Sequence, residues 1–138
     1  MEIHTQVRGT FDGQYMIGED EAIYLVPLNY ACKSRLVEGD KLKLTIYKNG
    51  ETEYKQIEPI QREKFIGKVV ARNGLLRLEH PDGRLFKILP VAVSYYRLAA
   101  GQEVIGLTSA GASWAAIDST IKMERIKKMK LEIKNLSS

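Results

Sequence analysis

Cysteine is nearly absent from this chain. Cys32 is the only one in 138 residues, which excludes an intrachain disulfide and suits a reducing cytoplasm. It reads as a small buried helix residue. No apolar run approaches the roughly 20 residues of a membrane span, so no membrane partner is expected. The opening M-E-I-H-T-Q lacks the basic, apolar and cleavage segments of a signal peptide. There are only 2 histidines. His4 and His80 lack the ligand spacing of a metal site and read as ordinary surface residues. Ser94, Ser109 and Ser113 sit outside any nucleophile elbow. Gly101, Gly106 and Gly111 are spaced as turns, not as a phosphate loop. No catalytic residue, metal or cofactor is expected, and the chain reads as a non-enzyme.

Charge is uneven. Net charge is +4, yet residues 1–60 sum to −3, residues 61–118 to +3 and residues 119–138 to +4. A uniform basic coat for nucleic acid is therefore missing. Glu19, Asp20 and Glu21 read as a solvated loop.

What is present is a repeat. Ile23 to Leu44 returns in weaker form from Leu85 to Leu107. Tyr24 falls on Phe86, Pro27 on Pro90, Leu36 on Leu98, Gly39 on Gly101 and Leu42 on Val104. One gap inside a short helix and a couple in the last hairpin are needed. Both copies close alike, with Y-K-Q-I-E from Tyr54 and W-A-A-I-D from Trp114. Alternation and turn signals predict strands over Ile3–Phe11, Gln14–Ile17 and Ala22–Val26, a helix over Leu28–Arg35, then strands over Lys41–Tyr47 and Thr52–Glu58. The second copy predicts strands over Phe65–Ala71, Leu75–His80 and Arg84–Leu89, a helix over Val91–Arg97, then strands over Glu103–Thr108 and Ser113–Asp118. A module of about sixty residues is marginal alone, so the copies should pack together.

Three strands, a helix and two strands is the order of the OB-fold, a five-stranded barrel. I-Y-L-V-P-L-N-Y, L-V-E-G-D-K-L and E-Y-K-Q-I resemble the cold-shock-type RNA-binding domain of transcription terminator Rho. The likeness covers about forty residues of each copy. It implies a mainly β chain with two tandem OB-like barrels, over 1–60 and 61–118. It also implies binding of RNA or single-stranded nucleic acid on the second and third strands. A proline, a helix and Leu-x-x-Gly-Asp also fit the swapped-hairpin barrel of AbrB-type DNA-binding regulators, or a double-psi barrel. The two aromatic motifs of the cold-shock family are missing.

Strand parity sorts the residues of that face. Lys87 should face solvent, which puts Phe86, Ile88, Tyr24 and Val26 inside with Leu42, Leu44 and Val104. The same reasoning places Tyr15, Ile17, Leu76 and Leu78 inside. The second module then offers Arg77 and Lys87, with Arg72 and Arg84 in turns and Lys68 nearby, as phosphate ligands. The first offers Met16, Ile23 and Leu25, an apolar protein-contact patch whose simplest partner is the second module.

Residues 119–138 predict a basic amphipathic helix capped by Ser119 or Thr120. Ile126, Met129, Ile133 and Leu136 follow a 3,4,3 spacing. That stripe should dock on a barrel or a partner, leaving Lys127, Lys128 and Lys130 to an anionic ligand. Two functions stay open: a small cytoplasmic RNA-binding or ribonucleoprotein-associated protein, and a protein–protein adaptor.

Overall fold

The computed structural model describes residues 1–136. The chain is mainly β, in two five-stranded antiparallel sheets. The first holds β1 (Ile3–Phe11), β2 (Tyr15–Gly18), β3 (Ile23–Leu25), β4 (Lys41–Tyr47) and β5 (Thr52–Glu58), with helix α1 (Leu28–Lys33) between β3 and β4. The second holds β6 (Glu63–Arg72), β7 (Leu75–Glu79), β8 (Leu85–Lys87), β9 (Glu103–Thr108) and β10 (Ala116–Thr120), with α2 (Pro90–Tyr95) between β8 and β9. Helix α3 (Ile121–Leu136) follows. The strand orders are β3-β2-β1-β4-β5 and β10-β9-β6-β7-β8. The two sheets are thus wired identically, and both ladders are open.

Local hydrogen bonds repeat at a constant spacing of 62 residues. After α1, the Leu36 amide donates to Ala31 and Arg35 takes φ +50°. After α2, the Leu98 amide donates to Val93 and Arg97 takes φ +52°. This left-handed residue after the helix, with its back-reaching amide, satisfies the last carbonyls. It also turns Leu36 and Leu98 into their cores. Gly39 (φ +105°) and Gly101 (φ +93°) make the next turn, a backbone shape that glycine takes without strain. The expected gap is absent. Pro90 is the first residue of α2 and corresponds to Leu28, whereas Pro27 precedes α1 and corresponds to Leu89.

Each sheet curls around its own core. Phe11, Met16, Val26, Leu36, Leu42 and Leu44 fill the first. Phe65, Val69, Leu78, Phe86, Ile88 and Val104 fill the second. The second module follows the expected parity. In the first, β2 is inverted: Met16 is fully buried, while Tyr15 and Ile17 face outward. The cause is register, because Met16 lies opposite both Phe11 and Tyr24. Tyr24 is only partly buried, and its hydroxyl donates to Asp20 Oδ2 at 2.5 Å.

The ends of each sheet approach one another. The Lys87 amide donates to the Ser113 carbonyl at 2.9 Å, and the Ala115 amide to the Lys87 carbonyl at 3.0 Å. Together they make one parallel bridge between Lys87 and Trp114. In the first sheet, the Tyr54 hydroxyl donates to the Leu25 carbonyl at 2.6 Å.

The modules do pack together, but not through Ile23 and Leu25, which stay 67% and 78% exposed. The contact runs through α1, α2 and the turn after α1. Cys32 joins the core of the second module, and Leu89 touches both cores. The Glu38 carboxylate accepts the amides of Ser113 (3.0 Å) and Trp114 (3.2 Å), and its carbonyl accepts the Ser109 hydroxyl at 2.6 Å. The Trp114 ring lies on Gly13, where any Cβ would collide with it. Arg35 pairs with Asp118 at 3.0 Å. A void of about 20 Å³ remains at this seam, room for about one water. Hydrogen bonds to a charged group contribute about 1.5–3 kcal/mol. Glu38→Ala should therefore lower stability by about that much in urea titration, with an unchanged denaturant slope.

Candidate nucleic-acid interface

The outer face of the second module is built by β7 and β8. Arg77 and Lys87 are direct cross-strand partners. Like charges opposite one another oppose pairing, yet neither has an ion-pair partner among the described residues. Arg77 is tethered only by a bond from its guanidinium to the Leu76 carbonyl at 3.2 Å. The Lys87 ammonium stands 5.6 Å from the centre of the Trp114 ring. Arg72, Arg77, Arg84, Lys87 and Ser113 line one open groove.

Those expected ligands are not equally available. Arg72 has a loose partner in Glu79 at 3.8 Å. Arg84 is engaged, donating to Asp82 at 2.8 Å and Glu63 at 3.1 Å, with its guanidinium 5.3 Å from the Phe86 ring. Lys68 lies apart, flanked by Glu79 on β7 and Glu103 on β9.

His80 is not an ordinary surface residue. Its side chain is nearly enclosed, and its Nδ1 accepts the Asp82 amide at 3.0 Å. That leaves the single ring N–H on Nε2, which donates to Glu63 at 2.6 Å. His80 and then Arg84 hold the Glu63 carboxyl below its usual value. The folded pKa is thus below the unfolded one. The stabilisation is present above the ordinary glutamate range and lost as pH falls through the lowered value. This cluster ties the start of β6 to the β7–β8 turn, beside Phe65.

Helix α3 forms as expected, from the Thr120 cap: the Met123 amide donates to Thr120 Oγ1 at 3.1 Å. Among the described residues, its stripe is not buried on its own module. Ile126, Met129 and Ile133 are exposed, and α3 meets the sheets at β9 and β10. The Leu136 side chain and residues 137–138 lie outside the described residues. Lys127, Lys128 and Lys130 are exposed. Lys127 and Lys130 line a second groove with Arg35 and Asp118, separate from the one on β7–β8. Of the expected protein-contact residues, Met16 is core, while Ile23 and Leu25 lie open on β3.

Two features escape a reading of the sequence. Arg8, Lys43 and Lys55 stand side by side across β1, β4 and β5, a cationic row on the net-acidic module. Asp40, in a Gly-Asp pair that signals only a turn, is a fully buried carboxylate. The repeat carried a hint of it: Gln102 takes the same place and accepts the Ala99 amide, as Asp40 accepts Val37.

Comparison with protein-family models, with curated proteins and with solved structures finds no match to this chain.

Proposed function

We propose that this chain is a small non-enzymatic protein that binds RNA or another single-stranded nucleic acid, on two OB-like barrels. The observation that carries the reading is the Arg77–Lys87 pair. Two cations held opposite each other, without an acid, leave a place for a phosphate. Arg72 stands in the same groove, and Lys127, Lys128 and Lys130 add positive charge on α3. The barrel reading rests on the strand order with a helix between the third and fourth strands. The parallel bridge at Lys87 and Trp114, where the two ends of the sheet meet, also supports it. Recognition by stacking draws no support from Phe86, which is buried, and little from Tyr24, which is only partly exposed with its hydroxyl held by Asp20. The binding expected is therefore electrostatic and tolerant of sequence.

The adaptor reading has its own observation, the exposed Ile23 and Leu25. Filter binding with RNA, single-stranded DNA and duplex DNA at several salt concentrations separates the two. Each phosphate contact adds about 0.7 to the salt slope for a single strand. Arg77→Glu with Lys87→Glu should flatten the slope by about 1.4. Replacing Lys127, Lys128 and Lys130 by glutamine should flatten it by about 2. No binding at about 50 mM salt, where phosphate contacts act strongly, overturns the nucleic-acid reading in favour of the adaptor. A preference for duplex DNA favours the AbrB-type alternative.

A further inference from the structure

The two modules present opposite chemistry at matching positions. Tyr15 pairs with Leu25, and Ile17 with Ile23. At the same places Arg77 pairs with Lys87, and Glu79 with Leu85. The β7–β8 face is thus mostly charged, and the β2–β3 face wholly apolar. Beside the apolar face runs the loop Glu19-Asp20-Glu21. Asp20 is occupied by the Tyr24 hydroxyl and the Ala22 amide. Glu19 and Glu21 have no ion-pair partner among the described residues. β3 is also an edge strand, the part of a sheet most open to another chain.

The complementary surface is on the same chain. Helix α3 has 16 residues, a rod of about 24 Å. Thr120 caps it and the Ser119 hydroxyl holds Glu124 at 2.8 Å. Past that turn, Met123, Ile126 and Met129 lie on one side and are exposed, with Lys127 and Lys130 beside them. Apolar meets apolar, and lysine meets glutamate. The segments also differ in sign, +4 for residues 119–138 against −3 for residues 1–60. Neither surface covers the other within one molecule.

We infer that α3 of one copy docks on the β2–β3 face of a second copy, with Lys127 and Lys130 set against Glu19 and Glu21. Each molecule carries both halves of the contact. Reciprocal exchange then closes a two-fold dimer, the commonest symmetry for self-association. Two helix contacts instead of one double the buried area. The inference uses nothing from the nucleic-acid reading and survives its failure.

Mass measured by sedimentation over a range of concentrations tests it. The full chain should rise toward twice the monomer mass and stop there. Two surface variants divide the contact: Ile23→Glu with Leu25→Glu spoils the face, and Ile126→Glu with Met129→Glu spoils the helix. Circular dichroism and thermal melting establish that both remain folded. Each alone should be monomeric. Mixed, they should form a one-to-one pair, because one supplies an intact helix and the other an intact face. With one contact instead of two, the mixture should need a higher concentration than the full chain. Three outcomes overturn the inference. The full chain stays monomeric up to about 200 µM, a range in which weak contacts are populated. Either variant associates as the full chain does. Or the mixture stays monomeric at the highest concentration reached, while the full chain dimerises.

Discussion

Asp40→Ala should cost about 3–5 kcal/mol of stability, the usual effect of removing one partner from a buried ion pair. The carboxylate has no solvent exposure. Its Oδ2 accepts the Val37 amide at 2.8 Å and the Gln56 side-chain amide at 3.0 Å. Its Oδ1 accepts the Ile60 amide at 2.8 Å and the Arg62 guanidinium. Four donors from the turn, β5 and the inter-module connector thus converge on one group. Alanine leaves all four without their acceptor, and water reaches few of them. Arg62 suffers most, because its Nε already lacks a partner and its side chain is 25% exposed. Asn at this position keeps one acceptor oxygen and the shape, so Asp40→Asn should cost about 1–3 kcal/mol. The control is built into the repeat. Gln102 is partly exposed and accepts only the Ala99 amide, at 3.1 Å, so Gln102→Ala should cost about 1 kcal/mol or less. Urea unfolding of the three variants measures the series. Equal losses at Asp40 and Gln102 would show that the two turns are equivalent and that the converging donors add nothing.

The repeat was legible because turns need particular residues. Gly39 and Gly101 hold left-handed backbone, and Leu36 and Leu98 follow the helix cap. Such positions allow few substitutes, so they survive as a pattern. Matching Pro27 to Pro90 misled for a related reason. Proline suits both the first residue of a helix and the residue just before it, so identity alone slides the helix by one place. The inverted β2 was illegible for want of contrast. Tyr-Met-Ile is apolar on either parity, and only its pairing with Phe11 and Tyr24 decides. In the second copy, Leu-Leu-Arg-Leu-Glu carries Arg77, which marks the solvent side. Parity therefore found the Arg77–Lys87 face. It did not show that Arg84 is engaged or Lys68 flanked by acids. Glu63 and Glu103 reach them only through the sheet, 21 and 35 positions away in sequence. Charge totals also hid the row of Arg8, Lys43 and Lys55, since a net of −3 says nothing about which face carries the cations.

Phe86→Ala should destabilise the chain by about 3–5 kcal/mol, as large aromatic deletions in cores do. The ring is 2% exposed. It lies opposite Leu78 and 5.7 Å from the Phe65 ring, under the Arg84 guanidinium. Removing it opens a cavity in the second core and takes away the surface on which Arg84 rests between Glu63 and Asp82. Its counterpart Tyr24 behaves differently, being partly exposed with its hydroxyl on Asp20. Tyr24→Phe, which removes one solvent-screened hydrogen bond and leaves the ring in place, should cost far less than Phe86→Ala. The two classes of variant separate core from interface. Phe86→Ala should reduce nucleic-acid binding only as far as it depletes folded protein, so affinity and melting temperature fall together. Arg77→Glu with Lys87→Glu should reduce affinity while the melting temperature holds, because the double reversal exchanges one opposed pair of like charges for another. A Phe86→Ala protein that keeps its melting temperature yet loses binding would place the ring in the interface. It would then act as a stacking platform, and the outward parity of Arg77 and Lys87 would have to be abandoned with it.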